Sequence, residues 1–197
     1  MEQLVTDLPH DNLPDPHDPY TPQEAFNPHD DAPTPTLVLP HSAEFTALSD
    51  ALSTKDWGQV LQAEKRLWVA HGLTREGVAQ LPIHGVAAVI DLAPADVLAF
   101  DMATAVHEAG LAYHTVPVRD INDLKQTVIM RFDRALMAHA DDLVLLHGVT
   151  ADDAGAVVAL RAGWLRGRKM DTALARGQAA GLDRLYDTVY QRLLVPR

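Results

Sequence analysis

The segment HGVTADDAG, residues 147–155, holds the side chains best suited to chemistry. It offers an imidazole at His147, a hydroxyl at Thr150 and adjacent carboxylates at Asp152 and Asp153. An apolar run precedes this segment and a helical stretch follows it, and a loop in that place presents backbone N–H groups and a helix dipole to an anion. Imidazole and carboxylate groups also bind metal ions, so metal-assisted hydrolysis by His147, Asp152 and Asp153 is a second chemistry open to the loop.

Alternating strands and helices must position this loop. Short β-branched and apolar runs predict strands over residues 68–70, 85–92, 111–118 and 142–148. Apolar residues at helical spacing predict helices over residues 98–109, 121–140, 154–166, 170–180 and 183–194. The alternation predicts an α/β fold with a mainly parallel central sheet flanked by helices. In such a sheet the loop after a central strand is the functional position, and residues 147–155 fall there.

An acidic, Pro-rich tail precedes this body. Residues 1–45 hold nine acidic residues, nine of the 13 prolines and no Lys or Arg, so most of the net charge of −11 lies there. Proline favours extended backbone, and an extended segment can bind in a groove or add to a sheet edge. Candidate anchors for a protein partner are Tyr20, Phe26, Leu37, Val38 and Leu39. A solvated arm without a partner is the alternative.

The composition divides the chain into three parts. Residues 1–43 form the extended acidic Pro/His-rich tail, and residues 67–197 form the α/β domain. Residues 44–66 between them carry apolar positions among helix formers and predict a helical linker or cap.

Several classes of protein are excluded by composition. The chain has no cysteine, which rules out disulfides, thiolate metal sites and cysteine nucleophiles. No Lys or Arg precedes Lys55, and no apolar run approaches the roughly 18 residues of a membrane span, so we expect a cytoplasmic protein. An acidic chain without a basic face is a poor nucleic-acid binder. The tail histidines are too widely spaced for a compact metal site, and we predict no cofactor and no bound metal.

Four stretches of the body resemble a known family. They are RLWVAHGLTREGVAQLPIHGVAAVIDLAP (66–94), GLAYHTVPV (110–118), the loop at residues 147–155, and ALARGQAAGLD (173–183). In order and spacing they are similar to the small bacterial cysteine phosphatase-like proteins, which include the beta-lactamase-hydrolase-like phosphatases of the dual-specificity phosphatase superfamily. The resemblance implies a protein-tyrosine-phosphatase-like fold, here preceded by the Pro-rich tail.

The chain departs from this family where the chemistry lies. The family loop runs His-Cys-x-x-Gly-x-Arg, and aligning it here retains His147, puts Gly148 at the nucleophile position and Asp153 at the arginine position. The loop glycine becomes Ala151, and two carboxylates would repel a phosphate dianion. The resemblance therefore implies a pseudophosphatase, which is not an enzyme. The residues of this degenerate loop are His147, Gly148, Thr150, Asp152, Asp153 and Gly155.

Structural roles for the same residues remain open. Asp152 and Asp153 suit the N-terminal cap of a helix that begins near Ala154. His147 could hydrogen-bond the loop backbone, and a metal role with Asp152 and His114 is an alternative. Asp120 and Asp123 lie where a phosphatase would hold its general acid, but they also suit a helix cap and first turn. The basic cluster at residues 161–169 suits a solvated helix end, or a surface that receives the acidic tail of another copy in a homo-oligomer.

Three functions follow from these observations. The first is an interaction or scaffold subunit that docks on a larger protein assembly, partly through residues 1–43. The second is a hydrolase or phosphatase-like enzyme with altered, metal-assisted chemistry at the His147–Gly155 loop. The third is a sensor whose former phosphate pocket binds a neutral or cationic molecule.

Overall fold

A central sheet organises the residues that the computed structural model describes, which are 57–195. Within this range the strands are β1 (Val60–Glu64), β2 (Leu67–Ala70), β3 (Val86–Asp91), β4 (Ala112–Thr115) and β5 (Leu143–His147). The α-helices of the same range are α1 (Arg75–Gln80), α2 (Met102–Glu108), α3 (Gln126–Met137), α4 (Ala151–Leu160), α5 (Met170–Ala179) and α6 (Tyr186–Leu194).

The strand order is β1-β2-β5-β3-β4, so β5 lies at the centre. β1 pairs antiparallel with β2, whereas every other neighbouring pair is parallel. The prediction of a mainly parallel sheet is confirmed. The register places His147 beside Ala70 on one side and beside Asp91 on the other, so the ends of three strands meet at one edge.

Both faces of the sheet are covered by helices. Alternate residues of each strand enter one of two apolar cores, as Ile90 and Val89 of β3 do. The larger core contains apolar residues of α3, α4, α5 and α6, and the smaller one contains apolar residues of α1 and α2. Strands buried on both faces read as continuous apolar runs, which is why β3 and β5 were recognisable in the sequence.

The predicted helical linker at residues 44–66 is wrong over 60–64. These residues form β1, because pairing with β2 supplies backbone hydrogen bonds that a short isolated helix would lack. The sheet therefore begins before residue 67. Residues 44–56 of the linker and the whole tail lie outside the described residues, as do Tyr20, Phe26, Leu37, Val38 and Leu39.

Four predicted helices have different bounds, and the one expected over 183–194 begins at Tyr186. The helix expected over 98–109 begins only at Met102, because the Asp101 side chain accepts from Thr104 N and caps it. The helix expected over 121–140 is divided into a short 3-10 turn at residues 121–123 and α3. The helix expected from residue 154 begins at Ala151 and passes at its end into a π-helical turn, Arg161–Leu165. Among residues 57–195, none of the helices has both the length and the apolar character that a bilayer crossing requires.

Candidate functional site

The side chain of His147 is buried at the end of β5. Its Nδ1 lies 2.9 Å from Oδ1 of Asp91, which ends the neighbouring strand β3. Asp91 is fully buried and also accepts from Ala93 N at 2.9 Å and from Tyr113 OH at 2.8 Å. Burial, followed by the charge of Asp91 and the hydrogen bond to it, raises the pKa of Tyr113. The predicted hydrogen bond from His147 to the loop backbone is wrong, because its ring contacts the carboxylate of Asp91 on the neighbouring strand.

Thr150 and Asp153 form a reciprocal cap at the start of α4. Thr150 Oγ1 accepts from Asp153 N at 3.3 Å, while Asp153 Oδ2 accepts from Thr150 N at 3.1 Å and from Thr150 Oγ1 at 2.8 Å. The capping role of Asp153 is confirmed, although the helix begins at Ala151 and not near Ala154. The cap itself is Thr150, and Asp153 supports it from the first turn.

Asp152 does not cap its own helix. It is buried, and its Oδ1 accepts from the backbone N–H groups of Asp183 and Leu185 at 2.9 and 3.1 Å. Its Oδ2 accepts from Arg184 Nε at 3.1 Å. Burial raises the pKa of Asp152, but the two amide hydrogen bonds and the contact with Arg184 outweigh that effect and hold the pKa below its ordinary value. Asp152 therefore joins the start of α4 to the segment that precedes α6.

The two glycines of the predicted loop occupy tight places. A Cβ built on Gly148 would lie 2.9 Å from the carbonyl oxygen of Thr150, so a side chain there requires the backbone to shift. Gly155 is not in the loop at all, because it lies within α4. A Cβ at Gly155 would be 2.2 Å from the backbone nitrogen of Leu182, and the glycine permits close packing of the helix. The segment that connects β5 to α4 is thus only residues 148–150.

A cavity of about 560 Å³ opens beside this segment. Its described lining residues are Pro94, Val97, Val118, Arg119, Asp120, Ile121, Val149, Thr150, Asp152, Asp153, Arg184 and Leu185. Val97 and Val149 are 54% and 51% exposed and make part of its rim apolar.

The two described arginines of the cavity are already paired. Arg119 donates to both carboxylate oxygens of Asp96, at 2.7 and 3.0 Å, and this hydrogen bond lowers the pKa of Asp96. Arg184 contacts Asp152. Asp120 accepts from Asn122 N and caps the 3-10 turn, and Asp123 accepts from Arg119 N. The capping interpretation of Asp120 is confirmed.

The candidate metal ligands are not brought together. His147 contacts Asp91, Asp152 contacts residues 183–185, and His114 contacts His139. In the part of the chain from Trp57 to Val195, no group of three or more His, Asp or Glu side chains could hold a metal ion.

The basic cluster at residues 161–169 is not wholly a solvated helix end. Arg161 is buried, its Nε lies 2.7 Å from Asp133 Oδ1, and Arg166 binds the same oxygen. These two cations connect the π-helical turn to α3.

Sequence reasoning missed four polar residues of the site. They are Asp91, Tyr113, Arg119 and Arg184. One signal pointed to Asp91, because an acidic residue ends the otherwise apolar strand VAAVID. Tyr113, Arg119 and Arg184 belong to no sequence motif that would have marked them as site residues.

Neither the known family models nor the curated proteins include a match to this chain. Solved structures do match it. A candidate phosphatase (DUF442) from Shewanella putrefaciens is 18% identical, covering 79% of this chain and 97% of that one with a TM-score of 0.54. The chain has a phosphatase-like fold. A candidate phosphatase from Neisseria meningitidis is 23% identical over 66% of this chain and 94% of that one, with a TM-score of 0.55.

A third structure adds a chemical detail about its own site. It is the kinase associated phosphatase, in which the catalytic-site cysteine is replaced by serine. It is 12% identical to this chain and covers 68% of it and 90% of its own length, with a TM-score of 0.56. At these identities the similarity concerns the fold.

Proposed function

We propose that this protein is a phosphatase-fold protein without phosphatase activity, which serves as an interaction subunit of a larger protein assembly and docks partly through residues 1–43. The observation that carries the proposal is Gly148. It stands at the nucleophile position implied by the resemblance, and a Cβ there would meet the Thr150 carbonyl oxygen.

The available nucleophiles support this proposal. The kinase associated phosphatase has a cysteine in its catalytic site, and this chain contains none. The hydroxyl of Thr150 donates to Asp153 and accepts from its backbone, so it serves the helix cap. His147 Nδ1 is engaged by Asp91.

The charges around the cavity support it as well. Asp120, Asp152 and Asp153 line the cavity, and the two described arginines are paired with carboxylates. A phosphoryl group in transfer needs unpaired cations or N–H donors around its oxygens. A phosphate dianion would have to displace Asp96 or Asp152 to obtain them.

An aryl phosphate assay tests the loss of activity. Purified full-length protein is incubated with p-nitrophenyl phosphate, with and without Mg²⁺, Mn²⁺ or Zn²⁺, and we expect no turnover above buffer. Turnover that requires a metal ion and disappears in Asp153→Asn would favour the altered hydrolase instead. A cysteine-dependent phosphatase assayed in parallel is the positive control.

Affinity capture tests the interaction. The full-length chain is compared with a variant that changes the candidate anchors Tyr20, Phe26, Leu37, Val38 and Leu39 to Ala. A matched control changes Leu4, Val5 and Leu8 to Ala. We expect a defined partner, or a second copy of this chain detected by light scattering, to be lost only in the anchor variant. Identical capture by all three proteins would contradict the role of the anchors.

A further inference from the structure

Two histidines meet at the edge of the sheet, apart from the cavity. His114 lies on β4, which is last in the strand order, and His139 follows α3. Their Nε2 atoms are 3.0 Å apart, and the rings are inclined at 62°. Neither residue lines the cavity beside α4.

The proton positions on His139 are fixed by a third side chain. Its Nδ1 lies 3.1 Å from Asp142 Oδ2, and because an ionised carboxylate can only accept, Nδ1 carries the proton. A neutral His139 then presents the lone pair of Nε2 to His114. His114 Nε2 faces this lone pair at 3.0 Å, so the two nitrogens share either a proton carried by His114 or a cation.

We propose that His114 and His139 bind one Zn²⁺ ion through their Nε2 atoms, with Asp142 as the positioning residue and water completing the coordination. Two imidazole nitrogens on a tetrahedral Zn²⁺ ion lie about 3.3 Å apart, given Zn–N bonds of about 2.05 Å. The separation in the structure needs to widen by only a few tenths of an ångström. This inference does not depend on the proposed function, because it uses no residue of the cavity.

The contact between His139 and Asp142 is one that metal-binding histidines commonly make. A ligating imidazole usually donates its other N–H to a carboxylate, which fixes the tautomer and orients the ring, and Asp142 does this for His139. The side chain of His139 is 17% exposed and that of Asp142 is 47% exposed, so an ion can reach the pair from solvent.

Zinc titration of the full-length protein by calorimetry near neutral pH is the test. Because the tail also carries histidines, the titration is repeated with His10, His17, His29 and His41 changed to Gln. We expect one Zn²⁺ per chain to bind in both proteins. His114→Gln and His139→Gln should each weaken this binding at least tenfold, and Asp142→Asn should weaken it about tenfold. His107→Gln is the matched control and should bind as the wild type does.

A second measurement guards against misfolded variants. Imidazole ¹H–¹⁵N spectra of the wild-type protein should show that Zn²⁺ shifts the resonances of His114 and His139 and leaves that of His107 in place. Unshifted resonances, or zinc binding that survives His114→Gln with its affinity unchanged, would overturn the proposal and identify the pair as a hydrogen-bonded contact alone.

Discussion

Nδ1 of His147 lies 2.9 Å from Oδ1 of Asp91, and both residues are buried at the ends of adjacent parallel strands. Asp91 therefore accepts from three donors, on His147, Ala93 and Tyr113, while it is itself fully buried. The pair holds β3 to β5 at the edge where the cavity opens.

Asp91→Ala should destabilise the fold strongly. It leaves two buried donors, on His147 and Ala93, and the part-buried hydroxyl of Tyr113 without an acceptor. Each unsatisfied buried donor costs about 1–3 kcal/mol, so we expect a loss of about 3 kcal/mol or more in the free energy of unfolding. Urea unfolding near neutral pH measures it. Tyr113→Phe removes a single donor and should cost about 1 kcal/mol. Equal losses in the two variants would show that Asp91 does not organise the network.

Asp152 should make stability depend on acid pH. The pKa of Asp152 is lowered in the folded state. Its contribution to the free energy of unfolding is therefore fully present above the ordinary Asp pKa of about 4, and it is lost as the pH falls through the pKa of the folded state. Asp152→Asn should therefore be less stable near neutral pH and should decline less on acidification. Urea midpoints from pH 7 downward measure both effects. Asp171→Asn, an exposed first-turn residue of α5, changes the charge equally and should leave the decline as in the wild type.

Gly148 should resist substitution. Gly148→Ala brings a Cβ against the Thr150 carbonyl oxygen and should cost about 1–3 kcal/mol through the backbone shift. Gly148→Cys should cost at least as much and should still fail to hydrolyse an aryl phosphate. Thermal unfolding and the assay measure these outcomes. Val149 follows Gly148 and is half-exposed, so the control Val149→Ala should stay within about 0.5 kcal/mol of the wild type in stability. A stable, active Gly148→Cys variant would contradict our view of the loop.

The cap at the start of α4 should behave as a coupled pair. Thr150→Ala should cost about 1 kcal/mol, as loss of an N-cap usually does. Asp153→Ala should cost a similar amount, and the double variant should cost less than the sum by at least about 0.5 kcal/mol, because each single change already breaks the reciprocal hydrogen bonds. Denaturant unfolding of the four proteins forms the cycle. Strictly additive losses would count against a capping box.

Periodicity was sufficient to predict four strands of the sheet and most of the helices that cover it. Runs such as VAAVID and LVLLH are apolar because both of their faces are buried, and this property is visible in one sequence. β1 escaped prediction because its residues suit a helix locally, and only pairing with β2 decides the outcome. This pairing is with the next strand along the chain, and the local pattern of residues 60–64 does not reveal it.

The contacts of the site were harder to predict than its location. His147 and Asp91 are 56 residues apart and meet because the crossover places β3 beside β5. Asp152 and Asp153 are adjacent in sequence yet turn to different partners, one to residues 183–185 and the other to Thr150. Such a divergence depends on how α4 packs against the turn near Leu182, which no spacing rule encodes.

The hydrogen bonds of Asp152 also bear on how the molecule opens. Because this side chain grips the backbone just before α6, the last helix cannot detach without breaking contacts at the first turn of α4. We therefore expect α4 and α6 to exchange their amide hydrogens as one cooperative unit. Local unfolding of α6 should then also open the first turn of α4, which lines the cavity.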